Sequence, residues 1–463
     1  MSPDPIAMYK AYRNRLLRNP DDEKALIGQF AVLSRSGDQK QDPAYYALAK
    51  RAYEIDPGNL DCVMNYANAL GNIGEFKSAI AQYSKCVDSA WKFEALHHIG
   101  VTHKAMGQYE KAIACYDLAL EVRHSAEVAK DRALAILASG RLMDGFKAYE
   151  CRRELANLKY LNEGTRETQK KLPPNVVHWE GQPLDGKHVV IYHEEGAGDF
   201  IMVSRFIRRL REKGAAKIEL TGPVPSLLDL VNAQCGTDGV QPLEDGTDEP
   251  FKCDYVLGSM SLPWRTGVEY GNFDGRPYFR ADPSGAVPGR GASLKVGLAW
   301  RGNPAYGQDV HRSMAFAELA TLFDIPGIAF YSLQVGDHWN EINRLGFDGF
   351  IADLAPLCRT WSDTARLVQS MDVVVTVDTG VGHLAGALGK PALIMVTYNT
   401  DWRWPRQTHQ TPWYDSVKIF RQRVQDDWKP VLARVKGTLR GMLHERRSHL
   451  RQDSSRRACE SAA

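Results

Sequence analysis

The chain has little that would tie it to a membrane, a metal or an oxidising compartment. None of its apolar runs approaches the roughly 20 residues that a membrane-spanning helix needs. The opening Met1-Ser-Pro-Asp-Pro5 lacks the basic and apolar regions of a secretory signal, so a cytoplasmic location is expected. The 8 cysteines (Cys62, Cys86, Cys115, Cys151, Cys235, Cys253, Cys358 and Cys459) are scattered and form no Cys-x-x-Cys. They read as reduced packing residues, and neither a structural zinc nor any other metal is expected. Charge of one sign is missing as well. The formal net charge is +2, so bulk charge does not point to a nucleic-acid partner. The remaining composition, 44% hydrophobic and 25% charged, is that of a globular protein, and 463 residues imply two to four domains of about 100–200 residues.

Residues 1–155 are poor in β signal and rich in helical periodicity, and they repeat. Gly74-Glu-Phe-Lys-Ser-Ala-Ile-Ala-Gln-Tyr83 aligns with Gly107-Gln-Tyr-Glu-Lys-Ala-Ile-Ala-Cys-Tyr116, which puts Ala79 and Ala112 33 residues apart, like Tyr83 and Tyr116. Gly140 to Tyr149 is a looser copy, and Ala52 and Pro57 match the end of an earlier unit. This period resembles the tetratricopeptide repeat, a helix–turn–helix of about 34 residues. Small residues fit where two helices cross closely, and the tyrosines fill the space beside them. Residues 22–39 are expected to give the first helix. Such an array has a concave face that can hold a protein or peptide, or it can simply brace the next domain.

The polar stretch 156–186, with Pro173-Pro174 and Gly181, reads as a linker. Strand, turn and helix then alternate over 187–285: strand His188 to Tyr192, turn His193-Glu-Glu-Gly-Ala-Gly-Asp199, helix Phe200 to Lys213, strand Lys217 to Leu220, helix Pro225 to Asn232 and strand Asp254 to Gly258. That order predicts a parallel sheet covered on both faces. Gly196-x-Gly198 is only part of a dinucleotide loop, because no third glycine follows in place; a nicotinamide-dependent oxidoreductase is therefore disfavoured. Asp199 at the helix start would repel a pyrophosphate. It suits either a general base, kept ionised by the helix dipole, or a plain helix cap.

A Gly/Pro-rich hinge over 281–293 leads to a second α/β domain, 292–445, with strands at Leu294 to Trp300 and Ile328 to Gln334 and a helix from Ala315 to Phe323 between them. Its centre is Val373 to Val377, a β-branched run, followed by Asp378-Thr379-Gly380 and a short helix that Gly389 and Pro391 stop. This unit aims unpaired helix N–H groups beyond the carboxyl end of a strand, where open α/β sheets bind anionic ligands. Arg301, His311 and Arg312 give the neighbouring loop positive charge. It is a phosphate clamp if it faces that helix and otherwise a solvated loop. His383 lies four residues after Thr379, placed to donate to a phosphate or ribose or to serve as a satisfied interior histidine. The aromatics between Asp401-Trp-Arg-Trp404 and Trp413-Tyr414 suit a stacking wall for a base or sugar, or ordinary packing. The arginine-rich residues 446–463 read as a disordered tail.

Asp378-Thr-Gly-Val-Gly-His-Leu-Ala-Gly-Ala-Leu-Gly-Lys-Pro391 resembles the donor-site signature of the heptosyltransferase-like glycosyltransferases of family 9, and the Gly198-Asp199 turn matches the Gly-Asp pair of that family. With the repeats, the Trp-Arg-Trp segment and Tyr331-Ser-Leu-Gln334, the whole resembles bacterial repeat–glycosyltransferase fusions. The resemblance implies tetratricopeptide helices followed by a GT-B pair of Rossmann-like α/β domains, the first on the acceptor side and the second binding the donor. It further implies inverting transfer of a sugar from a nucleotide-diphosphate donor to a protein or glycan acceptor, without metal or cofactor. Asp199 would be the base. Asp378, Thr379, Gly380 and His383 would surround the diphosphate, with Gln334 on the donor side and Arg301 or Arg312 where the family often has a lysine. The competing expectation is a repeat scaffold whose α/β part binds a nucleotide sugar but is catalytically silent.

Overall fold

The computed structural model describes residues 5–20, 22–33, 43–157, 171–173, 176–242, 252–288, 293–304, 306, 309–336, 338–399 and 401–460. Much of the 156–186 linker, Pro174, residues 34–39 of the expected first helix and residues 289–292 of the hinge lie outside them. The chain divides into two compact units, Met1–Arg152 and Arg153–Ala463.

The first unit is helical throughout its described residues. Its helices are α1 (Pro5–Arg18), α2 (Glu23–Leu33), α3 (Pro43–Ile55), α4 (Leu60–Asn72), α5 (Phe76–Tyr83), α6 (Lys92–Ala105), α7 (Tyr109–Val122), α8 (Ala126–Ala138) and α9 (Leu142–Ala148). The first helix is thus α1, upstream of the one the sequence suggested. The repeat period is set by turn chemistry. Gly74, Gly107 and Gly140, at the same 33-residue interval as the alanines, all take the left-handed backbone (φ +84°, +73° and +93°) that ends one helix and starts the next. Ala79, Ala112, Tyr83 and Tyr116 are buried in the cores between helices, and the Tyr83 hydroxyl donates to Asn68 Oδ1 at 2.6 Å. A Cβ on Gly100 would stand 2.6 Å from the Tyr116 ring, so the helix crossing there requires a bare backbone.

Among its described residues the second unit holds two parallel sheets. The first has four strands in the order β3-β2-β1-β4, from β1 (His188–Tyr192), β2 (Lys217–Thr221), β3 (Gly239–Val240) and β4 (Tyr255–Gly258). The second has six in the order β10-β9-β8-β5-β6-β7, from β5 (Leu294–Ala299), β6 (Ile328–Ser332), β7 (Ile351–Asp353), β8 (Val373–Val377), β9 (Ala392–Val396) and β10 (Val417–Arg421). Every residue of β8 and β9 is buried, as a strand covered on both faces requires. Val375 of β8 sits between Leu298 of β5 and Leu393 of β9. The strand order reverses between β1 and β4 in one sheet and between β5 and β8 in the other. Those two switch points are where loops splay apart and crevices open.

Three elements differ from their expected form. The helix read over Phe200 to Lys213 is two shorter ones, Ala197–Ser204 and Arg208–Glu212. Ala315 to Phe323 is a short α-helix, Phe316–Leu319, continued as a 3₁₀ turn to Asp324. The tail expected to be disordered from residue 446 is instead part of one helix, Lys429–Glu460. Val431, Leu432, Val435, Leu439 and Leu443 anchor its first half in the core of the second sheet. Extending an anchored helix avoids the nucleation cost, and Arg, Gln, Leu and Ala are good helix formers, so low apolar content alone does not prevent it.

Candidate functional site

The two switch points supply the two halves of the site. From β1 the chain enters His193 to Asp199, a turn braced on the loop after β4. The buried Glu194 carboxylate accepts the Met260 N–H at 3.1 Å, and the Glu194 N–H donates to Ser259 Oγ at 3.0 Å. Glu195 takes a left-handed backbone (φ +60°), rare outside glycine, which turns the chain into the Ala197–Ser204 helix. Burial holds the His193 imidazole below its ordinary pKa. Asp199, in the first turn of that helix, reaches back so that Oδ2 accepts the Gly196 N–H at 2.9 Å. It therefore caps its helix with one oxygen and leaves the other to face outward.

From β8 the chain passes Asp378 and Thr379 into the Gly380–Ala387 helix. Thr379 is extended (φ −142°) and does not cap that helix with its side chain; its hydroxyl pairs with Thr376 Oγ1 at 2.8 Å. The start of this helix closely approaches the start of the Ala197–Ser204 helix. A Cβ on Gly380 would lie 3.6 Å from the Gly198 nitrogen and 2.7 Å from the Trp361 ring, and one on Gly198 would lie 2.5 Å from His383 Cδ2. Two positive helix ends thus converge on one place. We expect Gly198→Ala to displace the buried His383 ring and destabilise the protein by about 1–3 kcal/mol, despite the higher helix propensity of alanine. A melting temperature equal to the wild type would refute this close approach.

The charges at this place come from four segments. His383 is 3% exposed; its Nδ1 meets the Tyr414 hydroxyl at 2.9 Å, its Nε2 lies 3.7 Å from Asp378 Oδ1, and its ring is 5.2 Å from that of Trp404. Arg403, between β9 and β10, forms ion pairs with Asp199 Oδ1 and Asp401 Oδ1. Its side chain is 12% exposed, against 20% for Asp199. Burial disfavours the Arg403 cation, but Asp199, Asp401 and Asp378 outweigh that and hold it firmly protonated. Burial likewise pushes the Asp378 carboxyl up, and His383, Arg312 and Arg403 more than offset it, leaving Asp378 below the usual carboxylate range.

The other expected residues lie in different arrangements. Arg301 pairs with Glu341 at 2.9 Å, and Arg312 with Asp309 at 2.7 Å while lying over the Tyr306 ring. Of these two, Arg312 is the one whose charge reaches Asp378. Gln334 Oε1 accepts the N–H groups of Trp300 and Arg301, both at 2.9 Å, so it fixes the loop after β5. His311 pairs with Asp426 at 2.8 Å. Trp402, Trp404, Trp413 and Tyr414 are buried, and Trp413 stacks on Phe273 at 4.8 Å. Arg205 donates to the Trp413 carbonyl at 2.7 Å and lies 4.2 Å from the Tyr278 ring centre. These aromatics pack the two sheet domains together. Among the described residues no group of three or more His, Cys, Asp or Glu is arranged to hold a metal ion, and no helix is long and apolar enough to cross a membrane.

Arg403 is the site residue that sequence reasoning missed. Its signal was present: an arginine two residues after an aspartate and between two tryptophans, after the carboxyl end of β9. The aromatics drew the reading instead.

Comparison with known proteins matches two stretches of the chain to families. The family model for glycosyltransferase family 9 (heptosyltransferase) matches residues 340–431, and that for the tetratricopeptide repeat matches residues 93–125. Protein FlbA of Caulobacter vibrioides is 26% identical over 472 residues, covering 93% of this chain and 75% of FlbA. Among solved structures, a family 9 glycosyl transferase from Veillonella parvula is 11% identical, covering 52% of this chain and 88% of its own, with a TM-score of 0.38. A thermophilic tetratricopeptide protein of Thermus thermophilus is 20% identical, covering 34% of this chain and 84% of its own, with a TM-score of 0.28. The chain therefore joins a tetratricopeptide repeat region to a glycosyltransferase family 9 region in one polypeptide, which supports glycosyltransferase activity in general.

Proposed function

We propose that the protein transfers a sugar, with inversion, from a nucleotide-diphosphate donor to a protein or glycan acceptor. The observation that carries this reading is the Asp199–Arg403 pair, a carboxylate and a guanidinium held between two helix starts on opposite sheets. The donor diphosphate lies at the start of the Gly380–Ala387 helix, near Asp378 and Thr379. Arg403 takes the role of the phosphate-binding cation, because it meets Asp199 of the first sheet domain and its charge reaches Asp378 of the second, whereas Arg301 and Arg312 pair within the second alone. The acceptor hydroxyl attacks the anomeric carbon from the first sheet domain (187–285) while the bond to the diphosphate oxygen breaks in the second (292–445). The hydroxyl proton goes to Asp199. The charge appearing on the nucleoside diphosphate is stabilised by Arg403 and by the helix N–H groups. Single displacement inverts the anomeric centre. The repeats hold the protein acceptor or a protein partner.

The test is a screen of nucleotide sugars by thermal melting of the full chain, followed by transfer assays with those that stabilise it. A true donor at 100 times its Kd adds about 2.7 kcal/mol of stability. The product should carry the anomeric configuration opposite to the donor. Failure of every nucleotide sugar to stabilise the chain would overturn the reading. Stabilisation without transfer or donor hydrolysis would favour the silent scaffold.

A further inference from the structure

We propose that a groove beside the edge strand β10 is a second ligand site, separate from the Asp378 helix, that takes a small phosphate-bearing molecule. The groove has a volume of about 620 Å³, within the range of small-molecule sites. Arg406, Lys418, Arg421, Arg423 and Arg434 line it together with His409, and no Asp or Glu is among its lining residues. The chain as a whole carries 58 basic and 56 acidic residues, so five cations without one carboxylate depart from its mixed surface.

The cations are oriented by neutral groups. Arg434 donates to the carbonyls of Arg421 and Pro430, and its guanidinium lies 6.0 Å from the Phe420 ring centre. Lys418 Nζ lies 5.7 Å from the centre of the same ring. Arg421 donates to the carbonyls of Trp404 and Pro405 at 3.0 and 2.9 Å. Carbonyls and a ring fix where Arg434 and Lys418 point without cancelling their charge. Burial and the neighbouring charge of Arg423 lower the proton affinity of Arg434, as expected where like charges gather. An anion in the groove relieves that repulsion. Guanidinium forks match phosphate oxygens in pairs, whereas a lone carboxylate would engage only one of them. A concave groove of this size also suits a compact ligand better than a flat bilayer. Arg421 holds the two carbonyls that follow Arg403, which ties the groove to that segment through its backbone. The inference does not depend on the transferase reading.

The test is calorimetric titration of the full chain with sodium pyrophosphate at low ionic strength, where such contacts are least screened. Lys418 and Arg423 are exposed, so the charge-reversing double variant K418E/R423E should melt like the wild type. We expect saturable pyrophosphate binding in the wild type that the double variant weakens at least tenfold, while K418R/R423K and Arg403→Ala retain it. Three results would overturn the proposal. One is pyrophosphate binding unchanged in K418E/R423E; another is no saturable binding by the wild type. The third is capture on phosphatidylglycerol vesicles that needs Lys418 and Arg423 and that pyrophosphate does not compete away.

Discussion

The Asp199→Asn variant is expected to lose at least ~10²-fold in turnover while still binding the donor, the usual scale for removing a general base. Asparagine is nearly isosteric, and its carbonyl oxygen can still accept the Gly196 N–H that caps the helix. What disappears is the basic oxygen that, in the proposed mechanism, takes the acceptor proton. Arg403 loses one of its carboxylates but keeps Asp401 in direct contact, so its guanidinium stays oriented. Donor affinity should hold or rise, because a guanidinium released from Asp199 is freer to meet the diphosphate. Turnover from product formation and donor Kd from calorimetry separate the two effects. Turnover equal to the wild type would remove Asp199 from the mechanism. A parallel loss of donor affinity would mean that Asp199 positions Arg403 and does no more.

The pairing also sets an order of events. In the structure both Asp199 oxygens are occupied, one by Gly196 and one by Arg403. The outward oxygen becomes available to an acceptor hydroxyl only when Arg403 turns to another anion. A diphosphate carries more charge than one carboxylate and, in the proposed mechanism, lies on a helix start, so it competes well for the guanidinium. Donor should therefore bind before acceptor.

Which parts of this were legible in the sequence follows from physics. The strand–turn–helix around Asp378 was, because β-branched runs, paired glycines and a helix stop are local signals, and β8 and the Gly380–Ala387 helix follow them closely. The repeat was legible because its glycine turns recur at a fixed interval. The Asp199–Arg403 pair was not, since its partners are 204 residues apart and meet only when two sheets pack. Gln334 is the converse. Its sequence context suggested ligand contact, but a side-chain amide at a strand end can equally bind backbone, and here it holds Trp300 and Arg301. Residues such as Arg301 and Arg312 show the same limit: charge is visible in a sequence, but the carboxylate that already pairs with it is not.

Arg403→Ala is expected to weaken nucleoside-diphosphate binding by about 10- to 150-fold, the equivalent of about 1.5–3 kcal/mol for charge-assisted hydrogen bonds. It should also cost about 3 kcal/mol of stability. That is the lower end for breaking a buried ion pair, because Asp199 and Asp401 keep some access to water. Arg403→Lys keeps the charge but not the planar fork, so it should restore stability more fully than diphosphate affinity. The pH dependence separates an electrostatic role from simple packing. Asp378 is held below its ordinary pKa, so its stabilising contribution is present above the unfolded-state value and is lost as pH falls through the folded one. Arg403 supports that depressed pKa. The stability difference between the variant and the wild type should therefore be larger at neutral pH than at a pH low enough to protonate Asp378 in the folded protein. A difference that is flat with pH would assign Arg403 to packing. If Arg403→Ala binds nucleoside diphosphates like the wild type and Arg312→Ala does not, the clamp is Arg312, and Asp309 is the partner it gives up to reach the phosphate.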